Sequence, residues 1–295
     1  MRRRDLLAGL LASATASAVH AQQSSSKIWR VACLYPATLG DPEREVWGAF
    51  VSELRSRGYI EGKNLVLDLR DAKGLLERIP PIMGELIALR PDVIVAIGNH
   101  VVAAAQHATA TIPIVMWSTV DPVRFGYVSS LARPGGNTTG AGTVWDVTLS
   151  KAFELLHLLA PAAHRVAVLY APRPTTTFDQ VYADLVKKAA EAIGLAVVPI
   201  LAPTPADLDR AFAEIEAKEC EALFVPMMSQ HVGPPIPSRA AVRLSVDRIF
   251  KRTPPADLPV EEPVTFELAV NFNAAAAIGL TITEAILARA DRVIE

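Results

Sequence analysis

Hydrophobic and polar positions follow two different periods along most of this chain. Short apolar runs bounded by turn residues predict buried strands, and stretches with apolar residues three and four positions apart predict helices with one buried face. The predicted strands are 29–35, 65–69, 92–97, 112–117, 138–144, 165–170, 196–201 and 222–225. The predicted helices are 43–57, 82–89, 101–108, 149–159, 178–193 and 205–218. This alternation predicts parallel sheets covered by helices.

The order of these elements predicts two lobes. The run at 92–97 is almost entirely apolar, as expected of a parallel strand that is covered on both faces. Turn residues cluster at 134–137, and a second series of strands and helices follows them. We therefore predict an α/β fold, in which two doubly wound parallel-sheet lobes enclose a ligand cleft. The predicted first lobe covers 28–143 and the shorter second lobe 144–260; the strand and helices predicted at 261–295 are not assigned to a lobe.

The N-terminal residues have the pattern of a cleavable export signal. Three arginines at positions 2–4 precede an uncharged stretch of small and apolar residues, which ends in Val19-His20-Ala21. Small side chains at Val19 and Ala21 suit the two positions that a signal peptidase inspects. We predict that 1–21 are removed, that 22–27 form a linker and that the protein works in the periplasm. Arg3-Arg4 also fits the twin-arginine export motif, so the sequence leaves the general and twin-arginine routes open.

The net charge narrows the class of partner, and the positions of the cysteines bear on whether a disulfide forms. Cleavage would remove three arginines and one aspartate, which changes the formal net charge from −2 to −4. An acidic balance argues against nucleic acid as a partner, and no later segment is long and apolar enough to insert directly into a membrane. Cys33 and Cys220 are the only cysteines. They fall in distant predicted strands, so we predict two buried free thiols rather than a disulfide.

Sequence patterns for catalysis are absent. The chain has no G-x-G-x-x-G run after a strand, no phosphate-binding P-loop and no G-x-S-x-G nucleophile turn. Its six histidines are scattered, and no pair has metal-ligand spacing on one helix. We predict a protein without enzymatic activity, metal or cofactor.

Candidate ligand-binding residues follow the predicted strands of the first lobe. Gly98, Asn99 and His100 open a predicted helix, whose free backbone N–H groups and dipole suit a carboxylate; a plain turn capped by Asn99 is the alternative. Asp121 could pair with a ligand ammonium group, or it could cap the turn before Pro122. Three further candidates end the first and fourth strands: Tyr35, Thr38 and Ser118.

The second lobe contributes a parallel set of candidates. Thr175 and Thr176 lie where a strand leads into a helix, so their hydroxyl groups are expected to face the cleft. Met227 and Ser229 end the last predicted strand, and they are expected either to line the cleft or to fill a gap in the core.

Several motifs, in order along almost the whole chain, resemble the substrate-binding proteins of bacterial ABC transporters, in the family that includes binders of tryptophan and other aromatic amino acids. They are the runs 58–64 (GYIEGKN), 112–115 (IPIV), 121–126 (DPV…G), 131–140 (LARPGGNTTG) and 256–271 (ADLPV…FEL…N). The resemblance implies two α/β lobes joined by hinge strands, a small ligand clamped between them, and a membrane permease as partner.

The chain departs from this family pattern in the second lobe. After the last predicted strand and the run 225–228, only 229–237 precede 239–250, which match a helix of the family; the family has a further helix, strand and hinge segment in between. The resemblance predicts the periplasmic binding component of an importer for a small polar solute, such as an amino acid. Two alternatives stay open: a sensory binding protein that presents its solute to a membrane receptor, and a degenerate relative that no longer binds.

Overall fold

The computed structural model describes residues 27–170, 177–202, 204–226, 239–262, 268–277 and 279–294. Thr175, Thr176, Met227 and Ser229, together with the predicted export signal, lie outside the described residues.

The first lobe is built on a sheet of five parallel strands in the order β2-β1-β3-β4-β5. The strands are β1 (Trp29–Tyr35), β2 (Leu65–Asp71), β3 (Val93–Ile97), β4 (Ile114–Val120) and β5 (Thr138–Thr143). The first three crossover helices are α1 (Asp41–Ser56), α2 (Ile79–Ala88) and α3 (Asn99–Ala108). Because β1 lies inside the sheet, the chain winds outward from it in both directions, as the predicted doubly wound fold requires.

Alternate residues of β1 supply the cores on the two faces of this sheet. Val31 and Cys33 belong to the same hydrophobic cluster as Phe50 and Leu54 of α1. Ala32 and Leu34 belong to the opposite cluster, with side chains from α2 and α3. A strand that is buried on both faces needs a continuous apolar run, which is the pattern that predicted it.

The second lobe begins with the same winding on a smaller sheet. Its strands β6 (Arg165–Tyr170), β7 (Ala196–Leu201) and β8 (Ala222–Phe224) are parallel and have the order β7-β6-β8. Its helices are α4 (Trp145–Leu159), α5 (Thr177–Glu191) and α6 (Leu208–Ala217). The predicted class of two doubly wound α/β lobes is confirmed.

Helix α7 (Arg239–Phe250) and the residues after it pack on the first lobe. Val242 and Phe250 belong to the cluster that includes β1 and α1, and the Phe250 ring stacks on Trp29 at 4.3 Å. Glu261 exchanges backbone hydrogen bonds with Gly140 and Gly142 of β5. The predicted boundary, which assigned all of 144–260 to the second lobe, is therefore wrong for 239–260. An apolar helix face shows that a helix is buried, but not against which sheet.

The C-terminal residues lie against the second lobe. They form β9 (Ala269–Asn271), α8 (Phe272–Ala277), α9 (Glu284–Leu287) and β10 (Arg292–Ile294), and the two strands pair in parallel. Arg289 forms an ion pair of 2.8 Å with Glu154 of α4. Within the described ranges, no helix has the length and apolarity needed to cross a membrane.

Both cysteines are free thiols, as predicted. Cys33 is fully buried in β1, and burial raises the pKa of its thiol far above the ordinary value. Cys220 precedes β8 in the other lobe and is only partly buried, so the prediction that it is buried was too strong.

Candidate ligand site at the carboxyl edge of the first sheet

The candidate residues of the first lobe meet where the winding of its sheet reverses. Strands β1 and β3 are neighbours, and the chain leaves them toward opposite sides of the sheet. The loops after two such strands separate and leave a crevice at their carboxyl ends. A Cβ atom placed on Gly98 would lie 3.9 Å from Cγ of Pro36, so the loop after β3 touches the loop after β1. Tyr35, Thr38 and Gly98 therefore share one edge.

Gly98 gives α3 its open N terminus. It is the N-cap residue, with φ of 76° and ψ of 162°, a region that is essentially restricted to glycine. Its own N–H group donates to Trp117 O at 2.9 Å, and its carbonyl accepts from Val102 N at 3.1 Å. The N–H groups of the first helical turn have no carbonyl acceptor within the helix, and the helix dipole adds positive potential there. This arrangement suits a carboxylate group.

The Asn99 side chain holds this N terminus in place. Its amide nitrogen donates to Val120 O at 2.8 Å, and its amide oxygen accepts from Val120 N at 2.9 Å. Asn99 is buried and is the first residue of α3, so the alternative in which Asn99 caps the turn is wrong: Gly98 is the cap, without a side-chain bond. The Asn99 amide positions α3 against the end of β4.

Ser118 lies at an irregularity of β4. The register between β4 and β5 shifts between Met116 and Thr119, and Ser118 has a φ of 55°, which is unfavourable for a residue with a side chain. On β5, a Cβ atom on Gly140 would lie 2.3 Å from Met116 O, so only glycine allows the two strands to come this close. Bulges of this kind redirect side chains at the ends of strands, and strained backbone is concentrated at functional sites.

Asp121 contacts the segment that crosses between the lobes. Its backbone N–H group donates to Thr143 O at 2.7 Å, and its Oδ1 accepts from Trp145 N at 3.2 Å. Arg124 Nε lies 3.4 Å from Oδ2 of the same carboxylate. Burial is the main reason why the pKa of Asp121 is raised, and the Trp145 N–H group and Arg124 oppose that shift. The predicted role as partner of a ligand ammonium stays a prediction.

His100 faces the second lobe. Burial lowers the pKa of its imidazole, and the negative charge of Asp179, in the first turn of α5, partly offsets that effect. The ring is therefore mostly neutral at pH 7 and brings a hydrogen-bonding group rather than a charge to this edge. His100 also lines a groove of about 390 Å³ between α2 and α3, which otherwise has mainly apolar walls.

Thr38 and Tyr35 differ in exposure. Thr38 is exposed in a loop that is held by the Leu39 N–H group, which donates to Asp71 Oδ2 at 3.1 Å. Tyr35 is 9% exposed, so little of its side chain is accessible to a ligand in this conformation.

Known proteins share both the sequence pattern and the fold. The family profile described as "ABC transporter substrate binding protein" matches residues 40–232. The chain belongs to this family. Its members bind substrates and do not convert them, which agrees with the predicted lack of enzymatic activity.

Individual relatives place the chain within this family. A tyrosine-binding protein of Clostridioides difficile is 30% identical over 177 residues, which cover 60% of this chain and 50% of the relative. The chain thus matches about half the length of this curated relative. A conserved domain protein of Vibrio cholerae has a TM-score of 0.75 at 26% identity, over 90% of this chain and 100% of that one.

A solved structure from Streptococcus pneumoniae, an ABC domain in complex with L-Trp, shares the fold with a TM-score of 0.74. It is 20% identical and is matched over 90% of this chain and 99% of that one.

Tyr170 holds the position in the second lobe that Tyr35 holds in the first, and it is not among the candidate residues predicted from the sequence. It ends β6 of the second lobe, as Tyr35 ends β1 of the first, and the two strands share the pattern Arg-Val-Ala-x-Leu-Tyr. The tyrosine is half-buried against the cluster that contains Trp145 and Tyr182, and burial raises its pKa to about 12. A search for internal repeats would have found it, because both lobes begin with the same kind of strand.

Proposed function

We propose that the protein is the periplasmic solute-binding component of an ABC-type importer, and that it captures a free amino acid in the cleft between its lobes. The observation that carries the proposal is the N terminus of α3, which begins at Gly98 without a side-chain cap and lies at the reversal of the first sheet, where backbone N–H groups suit a carboxylate. Family membership supports the transport role, and the tyrosine-binding and tryptophan-bound relatives support the ligand class.

In this proposal the first lobe binds the ligand before the lobes close. Backbone N–H groups at the N terminus of α3 receive the carboxylate, and Ser118 and Thr38 provide hydroxyl groups at the same edge of the sheet. The half-buried ring of Tyr170 offers an apolar surface from the second lobe. Closure of two lobes around a ligand buries it and creates a surface that a permease can distinguish from the open form.

The N-terminal sequence supports a periplasmic location. Residues 1–21 have the charge and hydropathy pattern of a cleavable signal, and the general and twin-arginine export routes are both consistent with it. Expression with the native N terminus should yield a periplasmic protein whose first residue is Gln22, as read by intact mass. Replacement of Arg3 and Arg4 by lysine should block export by the twin-arginine route and leave the general route largely unaffected.

Binding is tested by thermal unfolding of the mature protein with each of the twenty amino acids. A ligand that binds only the folded state raises the free energy of unfolding by about 2.7 kcal/mol when its concentration is 100 times Kd. We expect a concentration-dependent rise in Tm with at least one amino acid, and none with its methyl ester, which lacks the carboxylate. Failure of all twenty amino acids to raise Tm would contradict the amino-acid assignment.

A further inference from the structure

One turn of the first lobe contacts both the candidate ligand site and the second lobe. We name residues 120–128 the coupling turn; its first residue, Val120, is also the last residue of β4. At its start, the Asn99 amide forms two hydrogen bonds with Val120, and near its end the Tyr127 hydroxyl donates to Asn99 O at 3.1 Å. The N-terminal residue of α3 is thus bonded to both ends of the turn. Any displacement of α3 by a bound carboxylate reaches the coupling turn directly.

The same turn is bonded to the point where the chain crosses between the lobes. Strand β5 ends at Thr143 and α4 begins at Trp145, so a single residue separates the two lobes at this crossing. Asp121 bonds to both sides of it, through its N–H group to Thr143 O and through its carboxylate to Trp145 N. Such a short crossing allows lobe rotation only through a few backbone dihedral angles.

Side chains of the coupling turn extend this contact into the second lobe. Phe125 packs against the cluster formed by Trp145, Tyr182 and other residues of that lobe, and the Trp145 and Tyr182 rings lie 4.3 Å apart. Arg124 pairs with Asp121 and also with Asp146, in the first turn of α4. The turn therefore has bonded and packed contacts on both sides of the crossing.

Asp121 is the residue that joins these two sets of contacts. It is 4% exposed, and its φ of 45° is rarely adopted by residues other than glycine. A buried carboxylate with strained backbone persists only when the surrounding contacts require it. We infer that Asp121 is a positioning residue, which couples ligand binding at the N terminus of α3 to the angle between the lobes. This inference rests on the proposed function, which supplies the ligand. The distance distribution without ligand does not depend on that function.

The test measures the distance between the lobes in solution. Spin labels at Glu85→Cys on α2 and Lys187→Cys on α5 lie on exposed positions of opposite lobes. The background carries Cys220→Ser, and Cys33 is too buried to react. Asp121→Ala is compared with the control Asp92→Asn. Asp92 is partly buried at the opposite end of the same sheet, and its carboxylate accepts a hydrogen bond from Arg30 N at 2.9 Å. Pulsed dipolar spectroscopy then gives the distribution of distances.

Without ligand, Asp121→Ala should broaden the distance distribution, whereas Asp92→Asn should leave it as in the wild type. With L-tryptophan or L-tyrosine at equal occupancy, the wild type and the control should shift to shorter distances, and Asp121→Ala should shift by less than half as much. If Asp121 had only a structural role, both variants would have a lower Tm, and at equal ligand occupancy both would still shift to shorter distances as the wild type does.

Two further variants assign the coupling to a bond. Asp121→Asn keeps an oxygen acceptor for Trp145 N–H, so wild-type behaviour assigns the coupling to that hydrogen bond. Arg124→Gln removes only the ion pairs of Arg124 with Asp121 and Asp146. A loss of coupling in this variant would assign the coupling to those ion pairs. If Asp121→Ala matches Asp92→Asn in both states, the inference is overturned. If no amino acid binds, the proposed function fails, and the ligand-free distributions still show whether Asp121 holds the angle between the lobes: equal widths for Asp121→Ala and Asp92→Asn would contradict that role.

Discussion

At the scale of single residues, backbone conformation determines the candidate site more than side-chain chemistry does. Gly98 and Ser118 both have positive φ; Gly98 directly follows β3, and Ser118 lies near the end of the neighbouring strand β4. Asn99, which is polar and next to Gly98, uses both ends of its amide to hold Val120. The groups left to receive a ligand are mainly backbone N–H groups, which suit the carboxylate that all free amino acids share.

Replacement of Gly98 by alanine tests this view. The φ and ψ of Gly98 cost a residue with a Cβ atom about 1–3 kcal/mol, so the N terminus of α3 should reorient. We expect the affinity for the amino acid found in the thermal screen to fall at least about tenfold by calorimetry. The matched control is Gly62→Ala, since Gly62 also has positive φ, of 78°, and open space around its Cβ position, but lies in the turn before β2. Equal affinities in the two variants would contradict the assignment.

At the scale of elements, the buried carboxylate of Asp247 adds polar contacts to the apolar packing of α7 on the first lobe. Asp247 accepts hydrogen bonds from Tyr59 Oη at 3.0 Å, Lys251 Nζ at 3.0 Å and Arg57 at 3.2 Å. Burial acts to raise the pKa of Asp247, but these donors and the two positive charges outweigh it, so the pKa is lowered. Burial, together with the hydrogen bond to Asp247 and its negative charge, raises the pKa of Tyr59 to about 12, and Arg57 opposes this shift. The 58–64 motif thus has a structural role: it presents Tyr59 to α7.

Asp247→Asn should destabilise the protein by about 1–3 kcal/mol, because hydrogen bonds to a charged group are lost or weakened. The destabilisation should be measured by urea unfolding at pH 7. A lowered pKa stabilises the folded state above the unfolded value of about 3.9 and ceases to do so as pH falls through the lower folded value. The difference between the variant and the wild type should therefore shrink below about pH 4. Glu191→Gln, which removes an exposed ion pair with Lys187, should change stability by less than about 0.5 kcal/mol. A difference that is independent of pH would contradict this account.

At the scale of the whole molecule, the first lobe is assembled from two distant parts of the chain. Residues 239–262 complete both the hydrophobic cluster on β1 and the edge of β5, although the second lobe lies between them in sequence. The chain therefore crosses between the lobes after β5, again between β8 and α7, and again between Glu261 and β9. Several crossings of this kind allow the lobes to move without separating.

A fragment experiment tests this assembly. A fragment of residues 27–143 leaves the face that α7 covers exposed to water, so we expect it to bind a hydrophobic dye and to lack a cooperative thermal transition. A second fragment joins 239–262 to residue 143 through a glycine–serine linker that is long enough to span the lobe. It should unfold cooperatively by circular dichroism. Equal stability of the two fragments would show that 239–262 are not part of the first lobe's core.

The sequence by itself determined the local structure of this protein and its family. Strand β1 has the predicted bounds, and the apolar runs identified the buried parallel strands, because a strand's periodicity depends only on which of its faces are buried. The tertiary structure was needed to assign α7 to a lobe and to reveal the contacts of Asp121 with the crossing. Each of these depends on groups that are distant along the chain. Local hydropathy predicts that a face is buried, but it does not predict the element against which that face packs.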